Sequence, residues 1–220
     1  MSTEPGPPDR TRHLGVDDTS ALRALAHPAR LAILGSLRVG GPATVGALAA
    51  AHGIAAGSAS YHLATLAKHG FVEEATATAG GGAADRRTRW WRAAARTTHW
   101  DPADFDASPS GAAAAHELAR SVLDLQHQRA VDALARRDEL DEDWREAQHL
   151  SDDVVWLSLD DTAALREDIE ALMGRWRERS RAAGSRSGAR PVALVVHTFP
   201  DVTPRPADET ATRPADETVL

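Results

Sequence analysis

Along the first hundred residues, apolar positions recur at the three-and-four spacing of helices and then give way to the short apolar and aromatic runs of strands. Leu22, Leu25 and Ala26 open the helical pattern, which His27-Pro28 interrupts. Proline is tolerated in the first turn of a helix but not deeper. Pro28 therefore predicts a second helix with Leu31, Ile33, Leu34 and Leu37 on its apolar face, ending near Gly40 and Gly41. Thr44 is suited to cap a third helix through Ala51, closed by Gly53, and a fourth is predicted from about Ala55 to Lys68, stopping at Gly70.

Phe71–Ala75 and Thr88–Arg92 then read as two strands flanking a tip that carries Gly80, Gly81, Gly82, Arg86 and Arg87. That tip lacks the Gly-Lys-Ser/Thr ending of a nucleotide-binding loop. Ser108-Pro109-Ser110 predicts the start of a long helix to about Arg137, with Leu118, Val122, Leu125, Val131 and Leu134 as its apolar stripe. A one-stripe helix needs a partner, either its own domain or a second copy. Farther on, Val154–Leu159 and Pro191–His197 read as strands separated by a helix from Asp161 to about Arg181 carrying Leu165, Ile169, Leu172, Met173 and Trp176. Trp144, Trp156 and Trp176 are candidates for core or for the lining of an apolar pocket. The predicted class is α+β, mainly α. It has a disordered arm (1–18), a helical and hairpin domain (19–100), a long helix with a small α+β module (101–200), and a disordered tail (201–220) in which Arg-Pro-Ala-Asp-Glu-Thr occurs twice.

The fourth helix is the most informative element. Ala59, His62, Leu63 and Leu66 share one face, which leaves Gly57, Ser58, Ser60, Tyr61, Ala64, Thr65 and Lys68 outward. Small residues let a backbone approach the major groove closely, hydroxyls bond base edges or phosphates, and Tyr61 can reach a phosphate. The same face could also be merely solvated, and His62 reads as a core histidine. Arg86, Arg87 and Arg89 on the hairpin suit a DNA backbone or a minor groove, where negative potential favours guanidinium.

Charge supports that placement. The formal net charge is -7, yet residues 20–100 hold nine Arg and Lys against three Asp and Glu, a local +6. A basic module inside an acidic chain is compatible with phosphate binding. With 42% hydrophobic and 26% charged residues the chain is ordinary for a globular protein, and no apolar run approaches the roughly 18 residues of a membrane span, so a cytoplasmic location is expected. The absence of cysteine excludes disulfides, thiolate metal sites and cysteine nucleophiles. His116 and His127, eleven residues apart, are separated by about 16 Å along a helix and cannot share an ion within one copy. No metal and no cofactor are expected. Asp152-Asp153 and Asp160-Asp161 read as helix caps, and no motif fixes a catalytic geometry, so no enzymatic activity is expected.

His27-Pro28-Ala29-Arg30-Leu31-Ala32-Ile33-Leu34, Ser60-Tyr61-His62-Leu63-x-x-Leu66, Gly70-Phe71-Val72-Glu73-Glu74 and Arg89-Trp90-Trp91-Arg92 occur in this order. Together they resemble the ArsR-like winged helix-turn-helix transcriptional regulators over roughly residues 18–97. The resemblance implies a sequence-specific, homodimeric regulator that places the helix of about 55–68 in the major groove of each half-site of an inverted repeat, with a wing of about 76–89. It carries DNA contacts to Gly57, Ser58, Ser60 and Tyr61 and, more loosely, to Arg86, Arg87 and Arg89; Thr65 and Lys68 complete the expected face. Double-stranded DNA and a second copy are the expected partners, the second copy through the long helix that begins near Ser108, which the resemblance assigns to the dimer interface, with an unidentified small-molecule effector left open and no membrane. The alternative is a winged-helix module that binds protein. One departure stands out, because Ala55 and Ala56 occupy the place where relatives carry a side-chain N-cap.

Overall fold

In the computed structural model, residues 13–16, 18–75, 89–183 and 188–202 are described. The helices of the first unit begin where capping chemistry directs. Asp18 accepts a hydrogen bond from the Ser20 N–H at 3.0 Å and opens α1, Thr19–Leu25. His27 Nδ1 accepts from the Ala29 N–H at 3.1 Å and opens α2, Pro28–Gly40, with Pro28 in its first turn as predicted. After the short strand β2, Ala43–Thr44, the Thr44 hydroxyl accepts from the Ala47 N–H at 3.2 Å and caps α3, Val45–His52. Gly53 ends α3 in the left-handed region at φ +62°, a conformation glycine takes without steric cost. The chain then enters α4, Ala56–Lys68.

β3, Val72–Ala75, and β4, Trp90–Ala93, pair antiparallel, with Glu73 opposite Arg92 and Glu74 opposite Trp91. β2 joins the other edge of β4, giving the strand order β2-β4-β3. Leu22, Leu25, Ile33, Leu34, Leu37, Leu63, Leu66, Phe71, Val72 and Trp91 fill the space between helices and sheet. Fully burying such aliphatic or aromatic side chains contributes about 1.5–3 kcal/mol each.

Two short strands depart from the sequence reading. His13–Gly15 forms β1, parallel to β5, Thr97–His99, and Val16 behind it is buried, although residues 1–18 are expected to be a disordered arm. Three residues are too few to show an alternation, and their pairing spans more than eighty positions. The rest of that arm lies outside the described residues, as does most of the expected tail at 201–220.

The chain falls into two units, Met1–Arg145 and Glu146–Leu220. α5, Pro109–Ala135, belongs to the first. Ser108 caps it by accepting from the Gly111 N–H at 3.0 Å. A Cβ on Gly111 would stand 2.7 Å from the Phe105 carbonyl oxygen, so the helix starts against the preceding turn only with glycine there. Gly111, Ala114, Ala115 and Leu118 are buried where α5 packs on α1 and α2. The Ser121 hydroxyl donates to the Ala26 carbonyl at 2.6 Å, and Arg129 lies against Gly35 of α2. Val122 and Leu125 are half-buried, whereas Leu123, Val131 and Leu134 are exposed. The stripe expected for a partner is thus divided: its first part serves the chain's own core and its last part faces outward. A short helix α6, Glu142–Glu146, follows.

The second unit contains α7, Leu159–Ala183, opened by a reciprocal cap in which Ser158 Oγ accepts from the Asp161 N–H and the Asp161 carboxylate accepts from the Ser158 N–H. That cap gives Asp161 the helix-capping role expected of it. Residues 154–158 and 191–197 form no strand, contrary to expectation. A strand exists only beside a neighbour, and the described part of this unit holds no sheet to join. Trp156 and Trp176 are exposed, so neither is core nor the lining of an enclosed pocket.

Candidate nucleic-acid interface

α3, the Gly53 turn and α4 form a helix-turn-helix, and the burial pattern of α4 decides which face it offers. Ala59, His62, Leu63 and Leu66 are buried, as their spacing predicts. On the opposite face Gly57, Ser58, Ser60, Tyr61, Ala64 and Lys68 are exposed, Tyr61 by 65%. Thr65 is half-buried, and its hydroxyl donates to the Tyr61 carbonyl at 3.0 Å, one turn back. Of the expected contact residues on this helix, Thr65 is the one whose proton is already committed.

The start of α4 is bare. Ala55 occupies the N-cap position in extended conformation (φ -65°, ψ 145°) and contributes no side-chain hydrogen bond. The first-turn N–H groups of a helix carry partial positive charge, and here they open beside Gly57 and Ser58, where a phosphate oxygen could accept from them.

Behind the exposed face lies a basic and aromatic cluster that sequence reasoning does not bring together. The His27 and His62 rings lie 4.7 Å apart, and the Tyr61 ring meets His62 edge-on at 5.7 Å. Arg30 anchors on main-chain carbonyls, donating through Nε to Ala24 and through Nη2 to Arg23 at 3.0 Å. His62 Nδ1 is buried without a hydrogen-bond partner among the described residues. Burial first, then the neighbouring His27 and Arg30, hold the His62 imidazole below its ordinary pKa. The one hint in the sequence is His27-Pro28, which marks the helix start that turns His27 toward α4.

On the hairpin, Arg89 is exposed and lies 3.1 Å from the Glu74 carboxylate. Exposed pairs of this kind contribute only about 0–1 kcal/mol, so phosphate can compete for that guanidinium. Arg86 and Arg87 lie outside the described residues. At the far end of β4, Arg38 of α2 donates to the Ala95 carbonyl at 3.1 Å and to Thr98 Oγ1 at 2.6 Å, and its burial pushes its pKa down to about 10. That side chain ties the helix layer to the base of the hairpin. His116 and His127 are both exposed on α5.

Residues 25–75 match the family model of a helix-turn-helix domain. The match opens in the last residue of α1 and closes with β3, so it contains α2, α3, the Gly53 turn and α4 whole. A helix-turn-helix domain is therefore present, and its second helix is α4. A search of curated proteins found no match. No helix among the described residues is long and apolar enough to cross a membrane.

Proposed function

We propose that the protein is a sequence-specific, DNA-binding transcriptional regulator of the ArsR-like winged-helix type, acting as a homodimer. α4 enters the major groove of each half-site of an inverted repeat. Ser58, Ser60 and Tyr61 contact bases or phosphates there, and Gly57 allows close approach. Arg86, Arg87 and Arg89 supply hairpin contacts to the backbone or minor groove, and Lys68 adds charge at the end of α4. The observation that carries this is the division of α4: four core residues on one face, small and hydroxyl-bearing side chains with an exposed tyrosine on the other. The exposed end of α5, with Leu123, Val131 and Leu134, is the surface through which two copies associate.

Fluorescence anisotropy of the protein on its own upstream DNA and on a scrambled duplex tests it. Tighter binding to the native duplex is expected, and Ser60→Ala should erode that preference by about 1–3 kcal/mol while leaving the fold intact. Unchanged preference in a folded Ser60→Ala protein would remove the α4 assignment. One observation favours a protein-binding module instead: Lys68 is the single cation on the exposed face of α4. Weak binding to both duplexes, unaffected by salt, would select that reading.

A further inference from the structure

A cavity of about 360 Å³ opens where the end of α2 meets the base of the hairpin, and three arginines, Arg38, Arg92 and Arg96, share its lining with Leu37, Pro42 and Ala95. That volume falls within the range of small-molecule sites, about 300–1,000 Å³. β4 runs from Trp90 on the side of the hairpin tip to Ala93, so the cavity stands at the end of the strand away from the tip.

The three arginines differ in what holds them. Arg92 pairs with the Glu73 carboxylate at 2.9 Å. Arg38 is half-buried and held by neutral groups, the Ala95 carbonyl through Nε and the Thr98 hydroxyl through Nη2, which leaves Nη1 without a partner among the described residues. Burial is what pushes its pKa down to about 10, with no neighbouring carboxylate among the described residues to hold it up. Arg96 is exposed, with no hydrogen bond or ion pair to the described residues. No acidic side chain lines the cavity. The carbonyl end of α2 supplies about half a negative charge and Glu73 one more, so the three guanidiniums keep an excess of about one and a half positive charges. A charge withdrawn from water without a counter-ion is costly, and a bound anion recovers that cost. Beside the arginines the lining is apolar: Leu37, Ala93 and Ala95 are core residues.

We propose that this cavity binds a small organic carboxylate, its head on Arg38 and Arg96 and its hydrocarbon body against Leu37, Pro42 and Ala95. Arg38, pinned through its other two nitrogens, offers Nη1 from a fixed position, and Arg96 on the rim closes over the second oxygen in a charge-assisted hydrogen bond. The apolar lining favours such an acid over inorganic phosphate, which has no hydrocarbon to bury. The site needs neither DNA nor a second copy.

Two-dimensional NMR of the full chain, titrated with benzoate, hexanoate, the neutral benzamide and inorganic phosphate, tests it. Benzoate and hexanoate are expected to shift the amides of 37–41 and 92–96 saturably, with benzamide and phosphate weaker by about tenfold or more. Arg96→Gln breaks no contact of the described residues and should weaken both acids by about tenfold, the loss of one hydrogen bond to a charged group. Val39, in the cavity lining and 65% exposed, tolerates a larger polar side chain; Val39→Glu sets a carboxylate beside the arginines and should abolish binding at an unchanged melting temperature. Absence of a saturable shift with either acid would overturn the proposal. So would benzamide matching benzoate, since the arginines would then be idle, or phosphate matching benzoate, since the attraction would then be diffuse. Shifts that survive both substitutions would place the acids elsewhere and overturn it as well. Failure of DNA binding would appear as flat anisotropy and would leave the shifts in place.

Discussion

His62 is the residue at which the core and the outward face of α4 share one side chain neighbourhood. Its imidazole is set among His27, Arg30 and Tyr61, and burial, His27 and Arg30 all disfavour its charged form. The unfolded chain takes up a proton near 6.5, the ordinary value, and the folded chain only at lower pH. Below 6.5 the unfolded state therefore binds more protons, and stability falls as the pH falls. The contribution is fully present above about pH 6.5 and is lost progressively as pH falls toward the lowered folded value. Urea denaturation between pH 7.5 and 5.5 should show this decline, and a folded His62→Gln protein should show less of it. At this scale the sequence is informative where a rule is local: three-and-four spacing suffices to bury Ala59, His62, Leu63 and Leu66. It is silent on the Thr65 hydroxyl and the Arg89 guanidinium, because their partners depend on backbone carbonyl positions and cross-strand register.

α4 begins without a cap, and that defect is the most direct target at the level of elements. Ala55→Ser should stabilise the protein by about 1 kcal/mol in thermal or chemical denaturation, because a serine oxygen can accept from a first-turn N–H that Ala55 leaves open. A destabilised Ala55→Ser protein would mean that the first turn is held by something other than capping. The helices were legible because proline, threonine and glycine punctuate them at Pro28, Thr44 and Gly53. The strands were legible only as a hairpin. β1 and β5 are three residues each and pair in parallel across the domain, so no local pattern announces them. In the second unit the opposite holds: the strand pattern is plain in the sequence, and the described residues of that unit hold no sheet for it to join.

For the molecule as a whole, charge is divided by region. Residues 20–100 carry a net +6 within a chain of net charge -7, so DNA affinity should come from a local patch working against the field of the rest. Each phosphate neutralised contributes about 0.9 to the slope of log affinity against log salt. Replacing Arg86, Arg87 and Arg89 together by alanine should therefore weaken native and scrambled duplexes alike and reduce the slope by about 2–3. A slope unchanged by the triple substitution would take the hairpin out of the interface.

α5 is spliced into the head from Gly111 to Arg129, packing on α1 and α2, the helices against which α4 also packs. In the proposed homodimer its exposed end then works as a ruler. Where two such helices meet sets the distance between the two reading heads. A slip of one helical turn, about 5.4 Å, exceeds the 3.4 Å step between base pairs. The pitch of α5 would thereby be written into the tolerated spacing of the operator, and a pair of half-sites moved by a base pair or two would no longer be in step with the protein.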